Sequence, residues 1–280
     1  PAGLPPSAAG CDAQSDDETP PIACYSLDQN LDISPISVNE NETDPAYTDP
    51  ERHRQIWNFT RSILPKTILK EETRQYHIFT DGPDETLAFV SPLPDDPYHW
   101  FVAVDIEDAP NPIGPDKEFV HTIIHEFAHI LTLRSAQVPP DPDAGTGAME
   151  DDSPTETELS CPNFFTGEGC AEAQSYINLF FDRFWADIYD EFLDLDAAET
   201  EEEYSDLAYE FYQTYQDRFV TEYAATNPGE DIAESFTFFV LKDKPAGDSI
   251  ADQKVRFFYA FPELVKMRNQ IRGQLARAGR

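Results

Sequence analysis

The chain is short of three things, and each shortage narrows what it can do. Its 280 residues contain four cysteines, Cys11, Cys24, Cys161 and Cys170, and none stands in the CxxC spacing of a zinc knuckle or a redox motif. No run reaches the roughly 18 consecutive apolar residues needed to span a bilayer, so no transmembrane segment is expected. Basic residues are scarce: 19 Lys and Arg stand against 54 Asp and Glu, a formal net charge of −35. So anionic a surface repels phosphate backbones, which argues against any nucleic-acid partner and disfavours anionic membranes too. A Gly-rich phosphate loop, a GxSxG elbow and an EF-hand loop are all missing.

What is present suits one large domain, with 40% apolar residues. The acids are dispersed, from Asp16-Asp17-Glu18 to Glu201-Glu202-Glu203. That pattern fits solubility in salt, and plain solvation explains it equally well. The cysteines form two close pairs, so local disulfides 11–24 and 161–170 are the simplest reading. They imply an oxidising compartment, periplasmic or secreted. A rival reading makes Cys11, after Ala8-Ala9-Gly10, a lipoprotein anchor, which would cost Cys24 its partner. The first residue is Pro, which leaves room for an upstream signal peptide.

Residues 1–50 are rich in Pro, Ser, Asp and Asn and read as an extended arm touching the domain through residues such as Ile22, Leu31 and Ile36. Residues 51–280 read as the domain itself. A helix is expected over 51–64, after Pro50. Strands are expected over 75–80, 86–90 and 99–106, the last with Trp100, Val102, Val104 and Ile106 alternating against their neighbours. Asp81-Gly82-Pro83 and residues 92–97 mark turns between them. Residues 116–134 make a helix apolar nearly all round, hence buried. An acidic, Pro/Gly-rich loop and the 161–170 staple form an insertion at about 136–170. Helices are expected over 171–195, 203–226, 229–241, 248–259 and 262–277. The order predicts an α+β fold: a small sheet, a buried helix and a mainly helical C-terminal part.

The chemistry concentrates in the buried helix. Residues 121–130 read HTIIHEFAHI. His125 and His129 lie about 40° apart around a helix axis, so both imidazoles can reach one ion. Glu126 lies beside them, placed for a metal-activated water rather than the ion. From this composition HExxH is expected by chance only roughly 0.01 times. His121, one turn upstream, reads as a support to the site or a fourth ligand. A peptidase site needs a third protein ligand, and no histidine follows at the usual short spacing. The best candidate is Glu230 in NPGEDIAESF, residues 227–236, with Glu234 one turn later on the same face. Either carboxylate could be the ligand, the other accepting a hydrogen bond from a ligand histidine. An acidic helix start favoured by the helix dipole is the bland alternative. Asp231 points about 100° away and reads as a cap or a partner elsewhere. Acids at 141, 143, 151 and 152 could bind calcium, though solvated loop acids are commoner.

HEFAH followed by Tyr223 and Glu230-Asp-Ile-Ala-Glu234 resembles the catalytic domain of anthrax lethal factor and the Pro-Pro endopeptidases, zincins of the Glu-ligand (gluzincin) branch. The resemblance implies a zincin-like domain whose small sheet, with an antiparallel edge strand, packs on the HExxH helix. It implies Zn2+ held by His125, His129 and Glu230, Glu126 as general base, Tyr223 as oxyanion donor, and Glu234 behind the ligands. It is local, because 100 residues (130–229) separate His129 from Glu230, more than in that family's compact members. Tyr223 also continues a stripe of Leu207, Phe211, Tyr215 and Phe219, which by itself would make it core.

The expected function is a secreted or periplasmic zinc endopeptidase, a monomer acting on a peptide or protein substrate. Strand 99–106 would be the edge that pairs with extended substrate. The competing reading is a cell-surface binding module that keeps the metal only structurally; Glu126 argues against it, because a structural site has no use for that base.

Overall fold

A computed structural model describes residues 20–83, 86–141, 155–198 and 200–279. In chain order the strands are β1 (Ala23–Leu27), β2 (Ile33–Val38), β3 (Thr73–Phe79), β4 (Ala88–Leu93) and β5 (Asp96–Asp105). The helices are α1 (Pro45–Thr48), α2 (Pro50–Ile63), α3 (Lys66–Glu72), α4 (Lys117–Leu133), α5 (Glu156–Ser160), α6 (Tyr176–Phe184), α7 (Tyr189–Leu193), α8 (Glu201–Thr214), α9 (Pro228–Leu241), α10 (Ile250–Phe257) and α11 (Pro262–Ala278). The fold is α+β, and none of the helices described is long and apolar enough to cross a membrane. The chain divides into two compact units, Pro1–Phe127 with Gly273–Arg280, and Ala128–Arg272. The divisions fall inside α4 and α11.

The first unit holds the five-stranded mixed sheet, ordered β2-β1-β3-β5-β4. β3 and β5 are parallel, and the other pairs are antiparallel. This places β5 inside the sheet and corrects the expectation that it forms an edge. Every residue from Trp100 to Asp105 is buried, so both faces of β5 are covered. Phe101 and Ala103 pack with Phe79 on one face, and Phe89 and Leu93 of β4 close over them. The edges are β2 and β4, each antiparallel to its neighbour. β4 runs on to Leu93, and β5 begins at Asp96, so only Pro94-Asp95 turn where a six-residue turn was expected.

β1 and β2 are the second departure. Residues 23–38, inside the stretch read as an extended arm, form a hairpin that adds two strands to the sheet. The turn carries no glycine. Asp28 builds it instead, its carboxylate accepting from the backbone N–H of Asn30 (2.7 Å) and Asp32 (2.8 Å). Leu31 takes φ 64° there and is buried. Its carbonyl accepts from Trp57 Nε1 at 2.7 Å and Arg61 Nη1 at 2.9 Å, so α2 helps hold the strained residue. Ile22, Ala23 and Tyr25 are buried with it.

α4 forms where the apolar run predicts it. Asp116 Oδ1 accepts from the N–H groups of Glu118 (2.9 Å) and Phe119 (3.2 Å), capping the start. Phe119, Ile123, Ile124 and Phe127 are buried, as are Ala128, Ile130 and Leu131 beyond the division.

The second unit is helical, with shorter helices than its periodicity suggests. Residues 171–195 are not one helix: α6 ends at Phe184, and α7 starts at Tyr189. The 203–226 stripe also breaks, because α8 stops at Thr214. Two 3-10 turns, Gln216–Arg218 and Tyr223–Ala225, replace its second half. The physical reason lies in Arg218. Its guanidinium turns inward, giving two hydrogen bonds to the Asp187 carboxylate (2.9 and 2.6 Å) and one to the Phe184 carbonyl (2.9 Å). The aromatics keep their four-residue spacing because Phe219 is buried from an extended residue, not from a helix. Cys161 and Cys170 are joined by a disulfide, and Cys24 is also disulfide-bonded. Cys11, its expected partner, lies outside the described residues, as do positions 143, 151 and 152. Asp141 is buried, its carboxylate accepting from Thr155 Oγ1 at 3.0 Å.

Candidate metal centre

α4 presents His125, Glu126 and His129 along one helix, with one ligand atom of each lying within 4.8 Å of the others. His125 is buried, while Glu126 and His129 are partly open. The i, i+4 spacing is what makes this possible, since it brings the two imidazoles to one side. His121 sits one turn earlier, its ring centroid 6.5 Å from that of His125.

α9 supplies the acidic side. Pro228 opens it, and Asn227 caps it, the Asn227 Oδ1 accepting from the Glu230 N–H at 2.9 Å. That cap places Glu230 in the first turn. Glu230 Oε2 lies 3.4 Å from His129 Nε2, with both side chains largely shielded. The contact is longer than a good N–H···O bond. It suits two atoms sharing an ion: zinc ligands at about 2.0–2.2 Å in tetrahedral geometry stand roughly 3.3–3.6 Å apart. The donor chemistry, two imidazoles and a carboxylate, is also that of open zinc sites.

Glu234 lies one turn on and is buried. Thr221, which no sequence motif singles out, donates its hydroxyl to Glu234 Oε2 at 2.8 Å. The same hydroxyl oxygen accepts from the Ala224 N–H at 3.1 Å. One threonine therefore ties Glu234 to the 3-10 turn that carries Tyr223. The signal available in the sequence was a Thr three residues before a backbone N–H in a turn, a pattern too common to single out. Tyr223 is 56% exposed. The structure thus takes it out of the core stripe and leaves its ring accessible.

Asp231 takes the second of its two readings, a partner elsewhere. It does not cap α9; it is fully buried. Its Oδ2 accepts from Trp185 Nε1 at 2.7 Å and lies 2.5 Å from Lys254 Nζ, and Ser235 Oγ donates to its Oδ1 at 3.3 Å. Burial pushes its carboxyl up to about 6, against the pull of Lys254 and of the Trp185 and Ser235 donors. Burial also lowers Lys254, which Asp231 opposes.

No family model matches the chain, and no curated protein matches it. A solved structure does. It is a proposed zinc-binding metallo-peptidase from Bacteroides caccae, 17% identical, with the match covering 83% of this chain and 72% of that one at a TM-score of 0.31.

Proposed function

We propose that this chain is a zinc-dependent endopeptidase of the zincin type, in its Glu-ligand branch. The observation that carries the reading is Glu230 Oε2 at 3.4 Å from His129 Nε2, on the helix that also bears His125 and Glu126. His125, His129 and Glu230 would hold the metal. Zinc bound there would supply Lewis acidity toward a peptide carbonyl and toward water. Glu126, adjacent to one ligand and three residues from the other, takes the proton from the attacking water and delivers it to the leaving amine. Tyr223 gives its phenolic O–H to the developing oxyanion, which its exposure allows. Glu234 accepts from a ligand histidine and keeps the Tyr223 turn in place through Thr221. His121 supports the same helix face. A disulfide fits an oxidising compartment, and we place the protein outside the cytoplasm.

The test combines metal analysis with cleavage of a mixed peptide library by wild type and Glu126→Gln. One zinc per chain in both, with cleavage lost in the variant by a factor of about 10²–10⁴, supports the reading. Zinc in both with equal background cleavage would instead favour a binding module that keeps the metal structurally.

A further inference from the structure

We propose that the buried Asp231–Lys254 ion pair, held by Trp185, is a positioning device that sets the rotation of α9 and so aims Glu230 at His129. The inference deepens the metal-site reading and rests on it for the identity of the ligand.

α9 has an unusual problem. Residues 231 to 237 are all buried, which is nearly two full turns. A helix buried on every side has no apolar stripe to choose one rotation over another. Sliding it by one residue turns every side chain by about 100°, so its rotation rests on where its buried polar side chains, Asp231, Glu234, Ser235 and Thr237, find their partners. Yet Glu230 and Glu234, about 40° apart on one face, are useful only at one setting.

Asp231 breaks the degeneracy. It is next to Glu230, and its carboxylate meets groups from two other segments. Trp185 Nε1 comes from the residue that ends α6, at 2.7 Å, and Lys254 Nζ comes from α10, at 2.5 Å. Both charged side chains are wholly buried. Lys254 Nζ also stands 4.1 Å from the Phe219 ring centroid and 5.7 Å from that of Trp185, so aromatic faces surround the rest of the ammonium. Any other rotation of α9 would strand a buried ammonium away from its carboxylate, a far larger penalty than moving apolar surface.

Stability alone does not account for such a pair. Replacing a buried ion pair by apolar side chains of similar volume is often neutral or stabilising. A single buried polar residue that selects one register of an otherwise apolar helix is the best-attested use of such groups. Here the selected register is the one that carries the acidic face.

The experiment uses the full chain and reads zinc affinity, by competition against a chelator of known affinity, beside the melting temperature of the metal-free protein. The double variant Asp231→Asn/Lys254→Met removes both charges. It should melt close to wild type and bind zinc about tenfold or more weakly. Zinc affinity within about twofold of wild type in the folded double variant overturns the proposal. If the double variant does not fold, Trp185→Phe decides, because it keeps an aromatic ring and removes one donor to Asp231. A loss of about threefold supports the proposal, and an unchanged affinity overturns it. These readouts stand apart from proteolysis. A wild type that holds zinc but shows no Glu126-dependent cleavage sinks the peptidase reading, while the affinity comparison still decides this one.

Discussion

α8 and α9 are both 14 residues long, and they are held in opposite ways. α8 opens on three consecutive glutamates and buries only Phe211. α9 buries ten residues, Asp231 and Glu234 among them. Each begins with a side-chain cap: Thr200 Oγ1 accepts from the Glu203 N–H at 3.2 Å, and Asn227 Oδ1 from the Glu230 N–H at 2.9 Å. The caps are equivalent, so the local start signal does not decide what a helix is for. The difference lies in how each finds its rotation. α8 sets Phe211 among Trp185, Phe192 and Phe219 and leaves most of the rest to water. α9 has water on almost no side and takes its orientation from a buried polar contact. A group that must meet a metal to within a fraction of an ångström belongs on the second kind of helix.

The sharpest way to break this contrast is Lys254→Met alone. It leaves the Asp231 carboxylate buried without its cation, and a loss of about 3–5 kcal/mol is expected by denaturant unfolding. A loss below about 1 kcal/mol would mean that water reaches Asp231, and the contrast with α8 would collapse. Next comes Tyr223→Phe, in the segment that joins the two helices. If α9 and Thr221 hold that turn for chemistry, turnover should fall by about 10²–10³-fold with zinc retained. Unchanged turnover removes Tyr223 from the mechanism.

These two helices also mark where sequence reasoning reaches and where it stops. α4 was legible because two signals coincide on it: an apolar run at helical length and HExxH at a spacing that brings both imidazoles to one side. β5 was legible as a strand, since Trp100–Ile106 is apolar and β-prone, but its place in the sheet was not. Interior or edge depends on what pairs on each side: β4 is joined to β5 by a two-residue turn, but β3, which takes the other side, is brought there only by the fold. The β1–β2 hairpin was hidden because its turn uses Asp28 and a left-handed Leu31 where a glycine would have announced it, and Pro35 interrupts β2. The α8 stripe misled for a related reason. Four-residue aromatic spacing is also met by a helix that ends, turns, and sends Phe219 back to the same aromatic cluster. In α9, Glu230 and Glu234 stand out as a pair, but nothing local distinguishes Asp231 from any other acid in a helix's first turn. Its partner Lys254 is 23 positions away, and only the fold brings them together.

The caps give a smaller and more even-handed test. Asn227→Ala and Thr200→Ala should each cost about 1 kcal/mol, since each removes one acceptor from a helix N-terminus. Zinc affinity should separate them. Asn227 holds the N–H of Glu230 itself, so its loss should weaken zinc as well as the fold. Thr200 is on the solvated helix, and its loss should leave zinc binding unchanged. Equal weakening in both would show that α8 also feeds the site.

The smallest effect expected is Tyr209→Ala, at a position of α8 that is 55% exposed. Its loss should shift stability by no more than about 0.5 kcal/mol, the usual range for surface positions with no cap or buried partner. Its counterpart is Thr237→Val on α9, which is nearly isosteric but removes a buried hydroxyl that donates to the Ala233 carbonyl at 2.9 Å. That change should cost about 1 kcal/mol and should speed amide exchange through α9 without touching α8. If instead Tyr209→Ala proves the more costly of the two, α8 is held by something other than Phe211, and its acidic face is part of a contact rather than a solvated one.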